Sequence, residues 1–142
     1  MKSLQSSNSK FQNSDKIQTP NPKVGVFDLE ERTTKFGENV VSFCKKLEVD
    51  HVSRPLVNQL VRSATSIGAN YAEANNASSR KNYRNKAHLA KKEVQETKHW
   101  LRMLTPCYPE DIEVINVFWQ EAHELILILQ SIINKINAKV AV

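Results

Sequence analysis

The chain has 142 residues, the size of one ordinary domain, and its 40% hydrophobic content suffices for one core without a disulfide or a metal. Three glycines are few for a β-rich protein, whose turns need positive φ, so composition favours helices. The net charge of +5 is concentrated: residues 78–107 hold eight Lys and Arg against two Glu, and residues 1–26 hold four Lys against one Asp. Focused positive charge attracts polyanions.

Residues 1–26 are rich in Ser, Asn, Gln and Lys and contain Pro20 and Pro22, so they read as a disordered basic tail. The rest, 27–142, reads as an all-α domain. A first helix is expected from about Asp28 to Leu47. Asp28 and Glu31 form a capping pair, and Phe27 precedes it as a hydrophobic staple. Leu29, Thr33, Phe36, Val40, Phe43 and Leu47 recur at spacings of four and three, which is one helical face. Gly37 weakens this helix by about 1 kcal/mol relative to Ala, and a close neighbouring helix would explain it.

The second helix is expected to start at Ser53 as its cap, with Pro55 in the first turn, and to end near Asn75–Asn76. Leu56, Leu60, Ala64, Ile67, Tyr71 and Ala74 form its core row; Val57, Val61, Gly68 and Ala72 form a second row, implying more than one neighbour. The third helix is capped by Ser78 or Ser79 and runs to about Leu104, with Tyr83, Ala87, Ala90, Val94, Thr97 and Leu101 inward. Thr105 to Pro109 breaks it. The fourth helix spans about Glu110 to Lys139. Its row is Ile112, Ile115, Phe118, Ala122, Leu125, Leu129, Ile132 and Ile136, widened by Val114, Trp119, Ile126 and Ile133. Short connections impose an antiparallel up-down-up-down four-helix bundle.

On a helical wheel of the third helix, Arg80, Arg84, Lys91, Lys98 and Arg102 fall on one flank, about 60–100° from the core row. They line up over about 33 Å, a row able to follow a phosphate backbone. The competing reading is a face salt-bridged to carboxylates of the first helix (Glu30, Glu31, Glu38) or the fourth. Few aromatic residues interleave with the row in sequence, which gives base stacking little support. The opposite flank carries Leu89, Glu93 and Trp100, which sit in a wide core or meet another subunit. Arg62, Asn70 and Glu73 lie near the core row of the second helix and need partners on neighbouring helices or subunits, or else form a solvated face.

Glu96 and His99 form one ExxH, but a di-iron bundle needs two, and the wheel turns both outward. His51, His88 and His123 show no ligand spacing and read as surface or capping residues. Cys44 and Cys107 are expected to be free thiols. No phosphate-loop, dinucleotide or nucleophile-elbow motif is present, Ser66 and Thr97 have no evident base, and neither an enzyme nor a cofactor is expected. The first residues are polar, and the longest apolar run is Leu125 to Leu129, so a cytoplasmic protein without membrane contact fits.

The run Arg62-Ser-Ala-Thr-Ser-Ile-Gly-Ala-Asn-Tyr-Ala-Glu73 and the run His88-Leu-Ala-Lys-Lys-Glu-Val-Gln-Glu-Thr-Lys-His-Trp-Leu101 together resemble a bacterial four-helix-bundle family. That family comprises proteins encoded in intervening sequences of 23S ribosomal RNA genes, with the accessory variability determinant of diversity-generating retroelements as a relative. The likeness covers about Phe27 to Asn137. Ala74 stands where the family usually has Gly, which lets the second helix run on by a residue or two. The resemblance implies a homopentameric barrel. For the retroelement relative it also implies a basic surface that binds nucleic acid and a reverse transcriptase. Arg62, Ser66, Asn70, Glu73, Glu96 and Trp100 are the positions carried over, as structural or interface residues. Two readings follow: an oligomeric nucleic-acid-binding or ribonucleoprotein accessory module, and an oligomeric protein scaffold with no nucleic-acid role.

Overall fold

The structure is a computed structural model that describes residues 29–140. The expectations for residues 1–26, and for Phe27 and Asp28, lie outside the described residues. Four helices follow in order: α1 (Leu29–Lys45), α2 (Ser53–Asn75), α3 (Arg80–Leu104) and α4 (Ile112–Val140), the last entered through a 3-10 turn at Pro109–Asp111. No strand occurs among the described residues.

Residue pairings give the direction of each helix. Gly37 lies against Ala64 and Thr65, whereas Asn75 bonds to Glu30, so α2 runs back along α1. Arg62 meets Glu93 and Tyr71 meets Tyr83, so α3 reverses α2. Lys98 meets His123 and Arg84 meets Asn137, so α4 reverses α3. The bundle is up-down-up-down.

The predicted core rows face inward at most positions, although on α2 Val57 is buried and Leu56 only half-buried. Leu29, Phe36, Val40 and Phe43 of α1 meet Leu60, Ala64, Ile67 and Tyr71 of α2 and Val94 and Leu101 of α3. Thr33, the polar member of the α1 row, is fully buried and returns its hydroxyl to the carbonyl of Leu29 at 2.8 Å. That bond satisfies a group that would otherwise cost about 1–3 kcal/mol in the core. Between α2 and α3 the buried hydroxyls of Ser63 and Thr97 lie 2.9 Å apart.

The two helical glycines form one reciprocal contact. A Cβ on Gly37 would stand 3.3 Å from the carbonyl oxygen of Ala64, and one on Gly68 would stand 3.2 Å from the backbone nitrogen of Thr34. The helices meet backbone to backbone, which is the physical use of the glycine that weakens α1. The α1–α4 pair is the loosest of the four flanks at the backbone. Phe36 and Phe43 fill it by packing on Phe118, with ring centroids 6.1 and 5.5 Å away. Outside the rings, Arg32 clamps Glu121 with two bonds of 2.7 and 2.8 Å.

Some boundaries and caps differ from expectation, and others match it. Ser53 does not cap α2. The carboxylate of Asp50 accepts the N–H groups of Val52 and Ser53, each at 2.9 Å, and the Ser53 hydroxyl accepts the N–H of Asp50. Those backbone bonds hold the Asp50 carboxyl below its usual value. An acceptor three residues upstream reaches the free N–H groups better than Ser53, which is already inside the turn. Ser79, not Ser78, caps α3 by accepting the N–H of Asn82. The α2 helix ends at Asn75, one residue beyond Ala74. Ile112 is 46% exposed because it sits at the 3-10 entry, before α4 has turned its row onto the core. Towards the other end Ile132 and Ile136 are half-buried and Ile133 enters the core, since α1 no longer covers that side. Tyr108 ties the α3–α4 connection to the α1–α2 connection by donating to the carbonyl of Glu48 at 2.7 Å.

Gly68→Val places a Cβ 3.2 Å from the backbone nitrogen of Thr34 and adds two methyl groups to that tight contact. It is expected to lower stability by about 2 kcal/mol in urea unfolding, and an unchanged midpoint would show that α1 and α2 are free to separate.

Candidate nucleic-acid interface

The buried row of α3 divides its charged residues between two neighbours. Ala87, Ala90, Val94, Thr97, Leu101 and Leu104 face the core. Residues on one side of that row then point along α2, and residues on the other side point along α4.

Along α2 the contacts are ion pairs. Arg62 reaches Glu93 at 3.1 Å and Glu96 at 3.4 Å, and it donates to Gln59 at 2.9 Å. Glu73 pairs with Lys86 at 2.7 Å. Burial raises the Glu93 carboxyl, Glu96 beside it adds to the rise, and Arg62 opposes it. Asn70 bonds within its own helix to the carbonyl of Ser66, and the Ser66 hydroxyl returns to that of Arg62. Of the expected structural positions, Arg62, Glu73 and Glu96 therefore bridge α2 and α3, whereas Ser66 and Asn70 serve α2 alone. Trp100 is half-buried at the edge of the core, with His99 edge-on at 4.8 Å. Leu89 lies outside the core, 44% exposed.

Along α4 the contacts are different in kind. Arg84 donates to Asn137, Lys91 to Gln130, and Lys98 to His123 at 3.1 Å. An ammonium has only donors, so Nδ1 of His123 accepts and its ring proton sits on Nε2. The Lys98 nitrogen also lies 4.1 Å above the Trp119 ring. Arg80 and Arg102, at the two ends of the row, are exposed. Among the described residues no salt bridge joins the row to Glu30, Glu31 or Glu38, the α1 carboxylates of the competing reading; Glu30 accepts from Asn75 instead. The carboxylates of α4 nearest the middle of the bundle, Glu121 and Glu124, are held by Arg32 on the far side of that helix. Three of the five stripe cations thus rest on neutral groups.

Sequence reasoning missed the α4 half of this groove. Trp119 and His123 are one turn apart and stack nearly parallel, with ring centroids 5.5 Å apart and an interplanar angle of 6°. They place aromatic rings beside the basic row, where the sequence showed few, and His123 is partly buried and does not cap a helix. Their i, i+4 spacing was the available signal.

Candidate nucleophiles are occupied. The Thr97 hydroxyl is 2.8 Å from the carbonyl of Glu93, and Cys44 is buried, with its thiol pushed up to about 12 by burial. Cys44 and Cys107 are free. Among the described residues no group of three His, Cys, Asp or Glu side chains is placed to hold a metal, and no helix is long and apolar enough to cross a membrane.

The sequence model for the 23S rRNA-intervening sequence protein matches residues 27–131, which include α1 to α3 and most of α4. The chain belongs to that family. A crystal structure of a protein with unknown function from the S23 ribosomal protein family, from Bacteroides thetaiotaomicron, has the same fold. It superposes with a TM-score of 0.68 at 32% identity, over 74% of this chain and 97% of that one. No curated protein matches the sequence.

Arg62→Ala removes the cation that opposes the rise of the Glu93 carboxyl. The folded protein then keeps a proton on Glu93 above the ordinary value of 4.5, where the unfolded chain has released it. The loss of stability is therefore expected to be smallest below about pH 4, where Glu96, held below its usual value by Glu93 and Arg62, also takes up its proton, and to grow to about 1 kcal/mol at about pH 7, as measured by urea unfolding.

Proposed function

We propose that this member of the family is a non-catalytic, oligomeric nucleic-acid-binding module that holds phosphate backbones along the α3–α4 groove. One observation carries the reading: Arg84, Lys91 and Lys98 are positioned by neutral partners, so their charge is not cancelled. The carboxylates of α3 are taken by Arg62, and those of mid-α4 by Arg32. A lysine ammonium has three donors, so one bond to Gln130 or His123 still leaves donors for phosphate. Arg80 and Arg102 extend the row, and the basic residues of 1–26 add to the field. Contacts of this kind position a backbone without reading bases, so duplex sequence is expected to matter little.

A second reading, an oligomeric scaffold or adaptor with no nucleic-acid role, rests on the α2–α3 face. There Leu89 and Met103 are 44% and 37% exposed on the same helix as Trp100, whose indole Nε1 is buried without an acceptor. A second copy of the chain, in the pentamer that the family resemblance implies, would cover this face; a reverse transcriptase is another candidate by the same resemblance.

Two measurements test these readings. Lys91→Gln/Lys98→Gln/Arg102→Gln is expected to keep its helicity and to reduce the salt slope of single-strand binding by about 2, the value for three lost phosphate contacts. A slope equal to that of the wild type would remove the groove from consideration. In light scattering the wild type is expected to be an oligomer at micromolar concentration, and Leu89→Ala/Trp100→Ala to have a lower mass. A wild-type monomer would contradict the assembly.

A further inference from the structure

The Trp119–His123 pair has a geometry that a purely electrostatic groove does not need. Two rings one helical turn apart, at 6° to each other, form an offset stack, and the Lys98 ammonium lies over the Trp119 ring. Both residues are only partly buried, and both lie at the level of Lys98. Lys91 follows about 10 Å along α3 on one side, and Arg102 about 6 Å on the other. A stacking surface with cations before and after it matches a strand whose bases are turned outward and whose phosphates run alongside. A duplex hides its base faces in its own stack, so only an unpaired base has a face to offer.

We propose that Trp119 and His123 form a stacking seat for an unpaired nucleobase of a single-stranded nucleic acid, with its phosphates along Lys91, Lys98 and Arg102. This rests on the phosphate-binding reading above and adds to it a preference for single strands. In the free protein Lys98 occupies the seat: its ammonium lies over the Trp119 ring and donates to His123. A phosphate is a stronger partner for that ammonium than a ring face or a neutral imidazole. The arriving strand therefore draws Lys98 away and uncovers the ring for the base. The lysine acts as a cover that leaves only when a phosphate is present.

The test compares a base-bearing single strand with an abasic strand of equal length and charge, bound to the full chain at fixed salt. The wild type is expected to prefer the base-bearing strand by about tenfold. Trp119→Leu and His123→Ala, each checked for helicity, are expected to lose most of that preference with the salt slope unchanged. If Trp119→Leu fails to fold, His123→Ala and the quenching of Trp119 fluorescence in a Trp100→Phe background decide the matter. Equal binding of both strands by the wild type, a preference that survives His123→Ala undiminished, or absence of quenching would overturn the seat and leave the charge reading intact. If neither strand binds at low salt, the phosphate-binding reading fails and the seat with it.

Discussion

The phase of the buried row on α3 governs how charge is distributed over the whole molecule. Ala87, Ala90, Val94, Thr97 and Leu101 must face inward, and that requirement sends Glu93 and Glu96 toward α2 and Arg84, Lys91 and Lys98 toward α4. Rotating the helix to pair its own acids and bases more evenly would expose the apolar row, at a cost of about 1.5–3 kcal/mol for each large side chain. Apolar packing thus separates the charges, and the neighbouring helices complete the separation. Arg62 neutralises one side, and the amides and imidazole of Gln130, Asn137 and His123 leave the other side positive.

This division gives the groove an unusual balance of order and availability. Exposed lysines normally lose side-chain entropy when they bind an anion. Here each is held by a neutral acceptor at a modest net gain, about 0.5–1.5 kcal/mol for an ordinary hydrogen bond, which a phosphate readily exceeds. Under the proposed function, Arg84, Lys91 and Lys98 are ordered before a phosphate arrives, and their charge remains free to act on it.

The fold and its rows were legible in the sequence because each helix repeats its apolar positions over many turns. Leu29 to Phe43 and Tyr83 to Leu101 fall where the 3.6-residue period puts them. Gly37 was legible as a close contact, although its counterpart Gly68 could be matched to it only in three dimensions. What failed to show were features that depend on a neighbouring chain segment. Ile112 kept the period but had no helix beside it. Ser53 had the chemistry of a cap, but Asp50 was better placed. Lys98 read as one of five cations on a wheel. Nothing in its own helix indicated that Trp119 and His123, more than twenty residues away, would lie beneath it.

The order of the contacts also bears on how the chain folds. Every tight interface joins helices consecutive in sequence, whereas α1 and α4 meet mainly through three phenylalanine rings and the Arg32 clamp. Such local topology keeps loop-closure entropy small, so hairpins of adjacent helices form early and fast. The seam between α1 and α4 is the part whose partners are most distant along the chain. It closes last during folding and, by the same reasoning, is the first to open when the bundle loosens.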